Sequence, residues 1–279
     1  MIDSSEFDLH VPLLTTGFDP EIRLENHIFI YSPCGRTGST ALQRILNSSN
    51  EVCIWGEPYG FDTFVLGAIH KLNELHQGAR VPRQEQTQQF LQSFKEQNHD
   101  KFYPLAFRPL DRAAQALEDV FTSMLMPVNG AKRFGYKNID VSDVDILKTL
   151  RLIYPNCYLL FLFRNPMPQW ISVRDATFFP YSNNLDQFLN KYHRISDILI
   201  NYFEEADRAI FVENKVLLDP PRLHKLLTYL EISNIDEEPS SKIISSIAKG
   251  PLSDEERNTI LTSKAYSNFE KMLMLADRF

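Results

Sequence analysis

The 279-residue sequence has few cysteines, no excess of positive charge and no long apolar run. Its three cysteines form no C-x-x-C pair, which argues against a disulfide framework and favours a reducing compartment. Lys and Arg number 29 against 36 Asp and Glu, and this formal charge of −7 argues against a protein that mainly binds nucleic acid or an anionic membrane. The densest apolar run, residues 158–163, is far shorter than the ~20 residues that span a bilayer.

Two further features that the sequence lacks limit the cellular compartment and the type of chemistry that we expect. The first residues are acidic and lack the basic start, apolar stretch and cleavage site of a secretory signal, so we expect a cytoplasmic protein. The seven histidines are scattered, with no helical His–His pair beside another ligand, and we expect no metal site. The 43% of hydrophobic residues is typical of a globular chain with a buried core.

Short apolar runs of strand length alternate with amphipathic segments. The predicted strands are residues 27–31, 52–55, 133–137, 159–163 and 209–212. The predicted helices are residues 39–47, an interrupted region over 61–121, a helix that starts at a capping box of Ser142 and Asp145, 167–178, 185–206, and most of the chain after Pro221. This alternation predicts an α/β fold whose mainly parallel sheet has helices on both faces. We expect residues 1–279 to form a single domain.

The strongest local signal is IFIYSPCGRTGSTALQRIL, residues 28–46, where a strand runs through a loop into an amphipathic helix. Gly35 and Gly38 let the backbone wrap closely, and Arg36 adds a permanent positive charge. Hydroxyl donors come from Thr37, Ser39 and Thr40. Because backbone N–H groups and a helix N-terminus meet here, the segment predicts a phosphate or sulfate site, although an ordinary strand–turn–helix remains an alternative.

Two familiar phosphate loops do not fit this segment. The nucleotide-triphosphatase loop G-x-x-x-x-G-K-[ST] requires Lys directly after Gly38, but Ser39 stands there. It also requires Gly five places before Gly38, but Pro33 stands there. The loop of cysteine phosphatases requires Arg six residues after the nucleophile, but Thr40 lies six residues after Cys34. Neither type of chemistry is predicted.

A second candidate element is YLLFLFRNPMPQWIS, residues 158–172. A buried strand carries Arg164 to its carboxyl end, where ligands bind in open α/β sheets. Ser172 follows eight residues later on the next helix, so a guanidinium and a hydroxyl can converge on one phosphate. Alone, an Arg at this position is more often structural, but together with the first loop the pattern is more specific.

These two segments resemble sulfotransferases that use 3′-phosphoadenosine 5′-phosphosulfate (PAPS). The resemblance lies in SPCGRTGSTALQRIL and FLFRNPMPQWIS, with a weaker echo in FVENKVLLDPPRLHKLLTYLEI, and it implies the P-loop-like sulfotransferase fold. By this resemblance Arg164 and Ser172 would bind the 3′-phosphate of the donor. The 5′-phosphosulfate would be held by Gly35, Arg36, Thr37, Gly38, Ser39 and Thr40. Unlike many members, this chain has Cys34-Gly35 rather than Pro before the basic residue.

The resemblance also implies catalytic residues. Glu57, in WGEPYG after the second strand, resembles the general base of Golgi tyrosylprotein and some bacterial sulfotransferases. Lys137, in FGYKNID, ends another strand, and we expect it and Arg36 to neutralise charge on the sulfuryl oxygens and the leaving phosphate without a metal ion. The structural alternatives are a helix cap or salt-bridge partner for Glu57 and an exposed strand-end lysine for Lys137.

The sequence thus predicts transfer of a sulfuryl group from PAPS to a hydroxyl of a small-molecule or carbohydrate acceptor. Residues 27–60 would hold the 5′-phosphosulfate loop and the base, residues 133–232 the 3′-phosphate half, and residues 233–279 a helical C-terminus. The helical insertion 62–127, with Tyr103, Phe107 and Arg108, and the aromatic segment 178–181 would shape the acceptor pocket. Two alternatives remain: a nucleotide kinase that uses ATP, and a non-catalytic nucleotide-binding protein of the same fold.

Overall fold

The computed structural model describes residues 20–58, 60–78, 110–127, 130–176, 178–204, 206–233 and 250–277. The strands are β1 Ile28–Tyr31, β2 Val52–Trp55, β3 Arg133–Asn138, β4 Tyr158–Phe163 and β5 Ala209–Glu213. The helices are α1 Ser39–Asn47, α2 Phe61–Gly78, α3 Leu110–Leu125, α4 Val144–Ile153, α5 Pro166–Arg174, α6 Leu185–Phe203, α7 Pro220–Tyr229, α8 Asp254–Leu261 and α9 Lys264–Ala276. Short 3-10 helices occupy Pro20–Leu24 and Asn214–Leu218.

Over the described residues the strands form one five-stranded sheet in the order β2-β3-β1-β4-β5. Every neighbouring pair is parallel; Tyr31 of β1, for example, pairs with Phe161 of β4. Because all five strands run in the same direction, the segments that follow their carboxyl ends lie along one edge of the sheet. The prediction of an α/β fold with a parallel sheet is confirmed.

Side chains of the central strands alternate between two apolar cores, one on each face of the sheet. In β4, Phe161 and Phe163 point into the core formed with α2 to α6, α8 and α9. Leu160 and Leu162 point into the second core, formed with α1 and α7. A strand buried on both faces must be apolar at every position, and this requirement accounts for the unbroken run YLLFLF.

The observed strand boundaries lie within one residue of the predicted ones, but two helix predictions need correction. The capping box of Ser142 and Asp145 is wrong, because the carboxylate of Asp143 caps α4 by accepting the N–H of Asp145. Asp143 has the extended backbone dihedrals of an N-cap residue, so the helix begins at Val144, one residue later than a Ser142 cap would give. The helix predicted over 167–178 ends at Arg174, after which the chain turns so that Tyr181 contacts the first loop.

Some predictions concern residues outside the described ranges. They include residues 79–109 of the helical insertion, with Tyr103, Phe107 and Arg108, and part of the C-terminal segment. The domain boundaries given above therefore remain predictions. Within the described ranges, no helix is both long and apolar enough to cross a bilayer.

Candidate active site

The loop after β1 wraps tightly because two of its residues adopt left-handed backbone conformations. Arg36 has φ 67° and Gly38 has φ 98°, and Gly38 is the N-cap of α1. Gly35 packs closely against the ring of Phe179, and a Cβ atom there would lie 2.2 Å from Cζ of Phe179, so another residue would require the ring to move. Glycine therefore favours the observed loop at both predicted positions, and the loop leads into the N-terminus of α1.

The hydroxyl groups of the loop fit an anionic ligand. Thr37 is fully buried, and its Oγ1 has no hydrogen-bond partner in the described part of the chain. Ser39 and Thr40 form the first turn of α1, where backbone N–H groups lack intrahelical acceptors and the helix dipole favours negative charge. A bound phosphate or sulfate would supply the acceptor that Thr37 lacks, which is the fit that a phosphosulfate group requires.

Arg164 and Ser172 meet the loop through Arg36. Nη1 of Arg164 donates to the backbone oxygen of Arg36 at 3.1 Å, and Nε of Arg36 donates to Oγ of Ser172 at 3.0 Å. Burial, and then the positive charge of Arg36, lower the pKa of Arg164. No described carboxylate lies within salt-bridge distance of Arg164. Two neighbouring guanidinium groups, one of them in contact with a hydroxyl, are suited to an anion.

Glu57 and Lys137 form an ion pair at the same edge. Nζ of Lys137 lies 2.7 Å from Oε1 of Glu57, and the side chains of Lys137 and Glu57 are 9% and 30% exposed. Two residues before the glutamate, Trp55 donates its Nε1–H to the backbone oxygen of Leu125 and thereby ties β2 to the end of α3. The lysine is not the exposed strand-end residue of the structural alternative, whereas the glutamate is indeed a salt-bridge partner. The pair thus places a buried cation and a partly exposed carboxylate side by side at this edge.

Comparison with known proteins identifies the family. A sequence model described as the sulfotransferase family matches residues 28–232. The chain belongs to this sulfotransferase family. The structure is similar to that of a sulfotransferase from Alicyclobacillus acidocaldarius, with 13% identity, a TM-score of 0.52, and coverage of 91% of this chain and 97% of that one. At this identity the likeness shows the fold alone, and the predicted sulfotransferase fold is confirmed.

A second similar structure is the sulfotransferase domain of the olefin synthase from Synechococcus PCC 7002. It has 16% identity and a TM-score of 0.49 over 91% of this chain and 94% of that one. No curated protein matches the sequence significantly.

Sequence reasoning missed a buried carboxylate that is hydrogen-bonded to Asn138, the residue after Lys137. Asp62, in the first turn of α2, is fully buried and accepts a hydrogen bond from Nδ2 of Asn138 at 2.6 Å. Burial raises the pKa of its carboxyl group. The hydroxyls of Tyr31 on β1 and Tyr136 on β3 meet at 2.5 Å. The only available signal was the position of Asn138, directly after Lys137.

Cys34, in the loop after β1, is not placed to act as a nucleophile. The residue is fully buried, and burial raises the pKa of its thiol far above the ordinary range. A thiol with a raised pKa stays protonated and unreactive at neutral pH. The burial of Cys34 therefore agrees with the sequence, which does not fit the loop of cysteine phosphatases. All three cysteines are buried and unbridged.

The aromatic segment 178–181 lies against the loop after β1. The rings of Phe179 and Tyr181 stack with centroids 5.3 Å apart, and Phe178 leans on Phe179 at 4.3 Å while 72% of it stays exposed. An exposed aromatic ring beside the loop is compatible with the predicted acceptor surface. Among the described residues, no group of three or more His, Cys, Asp or Glu side chains is placed to hold a metal ion.

Proposed function

We propose that this member of the sulfotransferase family transfers a sulfuryl group from PAPS to a hydroxyl of a small-molecule or carbohydrate acceptor. The observation that carries the proposal is the convergence of three features on one sheet edge. They are the tightly wrapped loop, the cluster of Arg36, Arg164 and Ser172, and the ion pair of Glu57 and Lys137. The loop follows β1, Arg164 follows β4, and the ion pair joins the segment after β2 to the end of β3.

The residues of the loop fit the 5′-phosphosulfate of the donor. Backbone N–H groups around Gly38 and the hydroxyls of Thr37, Ser39 and Thr40 would hold it, with the α1 dipole favouring its charge. Arg164 and Ser172 would hold the 3′-phosphate. Because Arg36 contacts both of these residues, it links the two halves of the donor site. When bound, PAPS supplies the activated sulfuryl group.

Catalysis would depend on the paired charges of Glu57 and Lys137. Glu57 accepts the proton of the acceptor hydroxyl as that oxygen attacks sulfur. Proton uptake removes the negative charge of the carboxylate and weakens its hold on Lys137. The ammonium group, only 9% exposed, is then available to neutralise charge on the sulfuryl oxygens and the leaving phosphate. Arg36 would share this task, as charge neutralisation dominates the related phosphoryl transfers.

The proposal is tested by transfer of labelled sulfuryl from PAPS to a panel of hydroxyl acceptors that includes sugars and apolar alcohols. Transfer by the wild type that is lost in Glu57→Gln supports it. Binding of the donor without transfer to any acceptor would instead favour a non-catalytic nucleotide-binding protein. Transfer of the γ-phosphoryl group of ATP would favour a kinase and contradict the proposal.

The three unbridged cysteines support a cytoplasmic site of action.

A further inference from the structure

The backbone N–H and the backbone oxygen of Gly35 are each hydrogen-bonded to a side chain. Nε2 of Gln169 donates to the backbone oxygen of Gly35 at 2.8 Å. The hydroxyl of Tyr181 accepts the backbone N–H of Gly35 at 3.2 Å. Gln169 lies on α5, as does Ser172, so the helix that carries one of the two predicted 3′-phosphate residues also contacts the phosphosulfate loop.

Gln169 is an unusual residue to bury at this position. It is 0% exposed, and its Oε1 has no hydrogen-bond donor within the described part of the chain. Buried polar atoms are nearly always paired, so an apolar side chain would suit a purely space-filling role better. Helix α5 is also anchored independently, because Trp170 and Arg174 both donate to the carboxylate of Glu256. The amide of Gln169 is therefore not needed to dock the helix.

The backbone conformation of Arg36, the residue after Gly35, explains why the loop needs these two hydrogen bonds, which we call the grip on the loop. Arg36 has φ 67°, a left-handed conformation that non-glycine residues rarely adopt and that persists where the surroundings enforce it. We propose that Gln169, together with Tyr181, is a positioning residue that fixes the Gly35 peptide and preorganises the phosphosulfate loop for the donor. This inference rests on the proposed function for the identity of the ligand. The grip itself is a property of the free protein.

The test compares Gln169→Met with Gln43→Met. Methionine keeps the shape of glutamine but has no N–H donor. Gln43, on α1, is the matched control, because its Nε2 also donates to a backbone oxygen at 2.8 Å, that of Ile54 in β2. Hydrogen exchange of the loop amides and the unfolding midpoint are measured without ligand. Calorimetry then gives the affinity for 3′-phosphoadenosine 5′-phosphate (PAP), the desulfated donor.

For Gln169→Met we expect faster exchange of the loop amides, an unfolding midpoint close to that of Gln43→Met, and PAP affinity reduced about tenfold, as for one lost hydrogen bond to an ordered group. Gln43→Met should leave loop exchange and PAP affinity at wild-type values. Tyr181→Phe, which removes the other half of the grip, should also speed loop exchange. This second variant keeps the test decisive if Gln169→Met fails to fold.

Unchanged loop exchange in Gln169→Met and Tyr181→Phe would overturn the positioning role, whatever the ligand. Faster exchange with wild-type PAP affinity would overturn the claim that the grip serves the donor. Failure of the wild type to bind PAP would count against the proposed function, while the exchange data would still decide whether the grip exists.

Discussion

Nζ of Lys137 lies 2.7 Å from Oε1 of Glu57, although 80 positions separate the two residues. The pairing of β2 with β3 brings them together, because Trp55 lies opposite Tyr136 and each charged residue follows within two positions of this pair. A parallel register therefore places a carboxylate and an ammonium group side by side at the carboxyl edge. This relationship could not be derived from the local sequence around either residue.

The first prediction concerns Glu57→Gln. The variant keeps the shape of the side chain but removes the base, so turnover with an acceptor should fall by about 10²–10⁴-fold, while PAP affinity should change by less than about threefold. Steady-state kinetics and calorimetry measure the two effects separately.

Glu74→Gln is the control for this prediction. Glu74 also pairs with a lysine, since Nζ of Lys71 lies 2.9 Å from its Oε2, but the pair is exposed on α2. Its replacement should leave turnover unchanged. If Glu57→Gln and Glu74→Gln turned over at equal rates, Glu57 would not be the base.

The second prediction concerns Gly35→Ala. A Cβ atom at this position would overlap the ring of Phe179, so we expect a loss of about 1–3 kcal/mol in the free energy of unfolding. Gly56→Ala is the control, because no neighbouring atom lies within 4 Å of the place that its Cβ atom would occupy, and its effect should stay within about 0.5 kcal/mol. Denaturant titrations measure both values.

A double variant, Gly35→Ala with Phe179→Ala, tests the same prediction in a second way. Removal of the ring relieves the overlap, so the double variant should lose less stability than the sum of the two single variants. Additive losses would show that the close approach at Gly35 is not what disfavours alanine.

The fold could be predicted from the sequence to the extent that apolar patterns are local. The run YLLFLF and the alternation of strands with helices were sufficient for the strands and the parallel sheet. The strand order β2-β3-β1-β4-β5 was not accessible, because it depends on packing between distant segments. The cap of α4 was misassigned because Ser142 and Asp143 are adjacent and both can cap a helix.

The candidate site divides in the same way. Charged residues at or just after the carboxyl ends of strands, such as Glu57, Lys137 and Arg164, stand out because ligands bind at that edge of a parallel sheet. Gln169 and Asp62 do not stand out, since their importance depends on contacts with Gly35 and Asn138 across the fold. Sequence patterns therefore found the side chains at the edge but missed the buried groups that position them.

The third prediction concerns pH and His27, which lies just before β1. Its Nε2 donates to the backbone oxygen of Ile22 at 2.6 Å, so Nδ1 is the acceptor for the N–H of Phe134 at 3.2 Å. Burial lowers the pKa of His27 from 6.5 to about 4. Because the unfolded chain binds the proton more readily, this histidine should reduce stability as the pH falls from about 6.5 towards 4.

At pH 5 this loss should amount to about 2 kcal/mol relative to pH 7. The measurement compares unfolding free energies at the two pH values for the wild type and His27→Gln, whose pH dependence should be smaller by that amount. His224→Gln, on the exposed side of α7, is the control and should match the wild type. An equal pH dependence in all three proteins would contradict the prediction.

The central claim is that the loop and Arg164 together bind the two ends of a 3′,5′-substituted adenosine nucleotide. The most direct measurement is calorimetric titration of the wild type, Arg164→Ala and Arg208→Ala with PAP and, separately, with ATP and Mg²⁺. Arg208 is an exposed arginine that contacts Asn26 and Asn156 at the opposite end of the sheet. We predict that PAP binds the wild type and Arg208→Ala equally, that Arg164→Ala weakens this binding at least about tenfold, and that ATP with Mg²⁺ binds more weakly than PAP. Binding of ATP with Mg²⁺ alone, or equal PAP affinity in all three proteins, would contradict the claim.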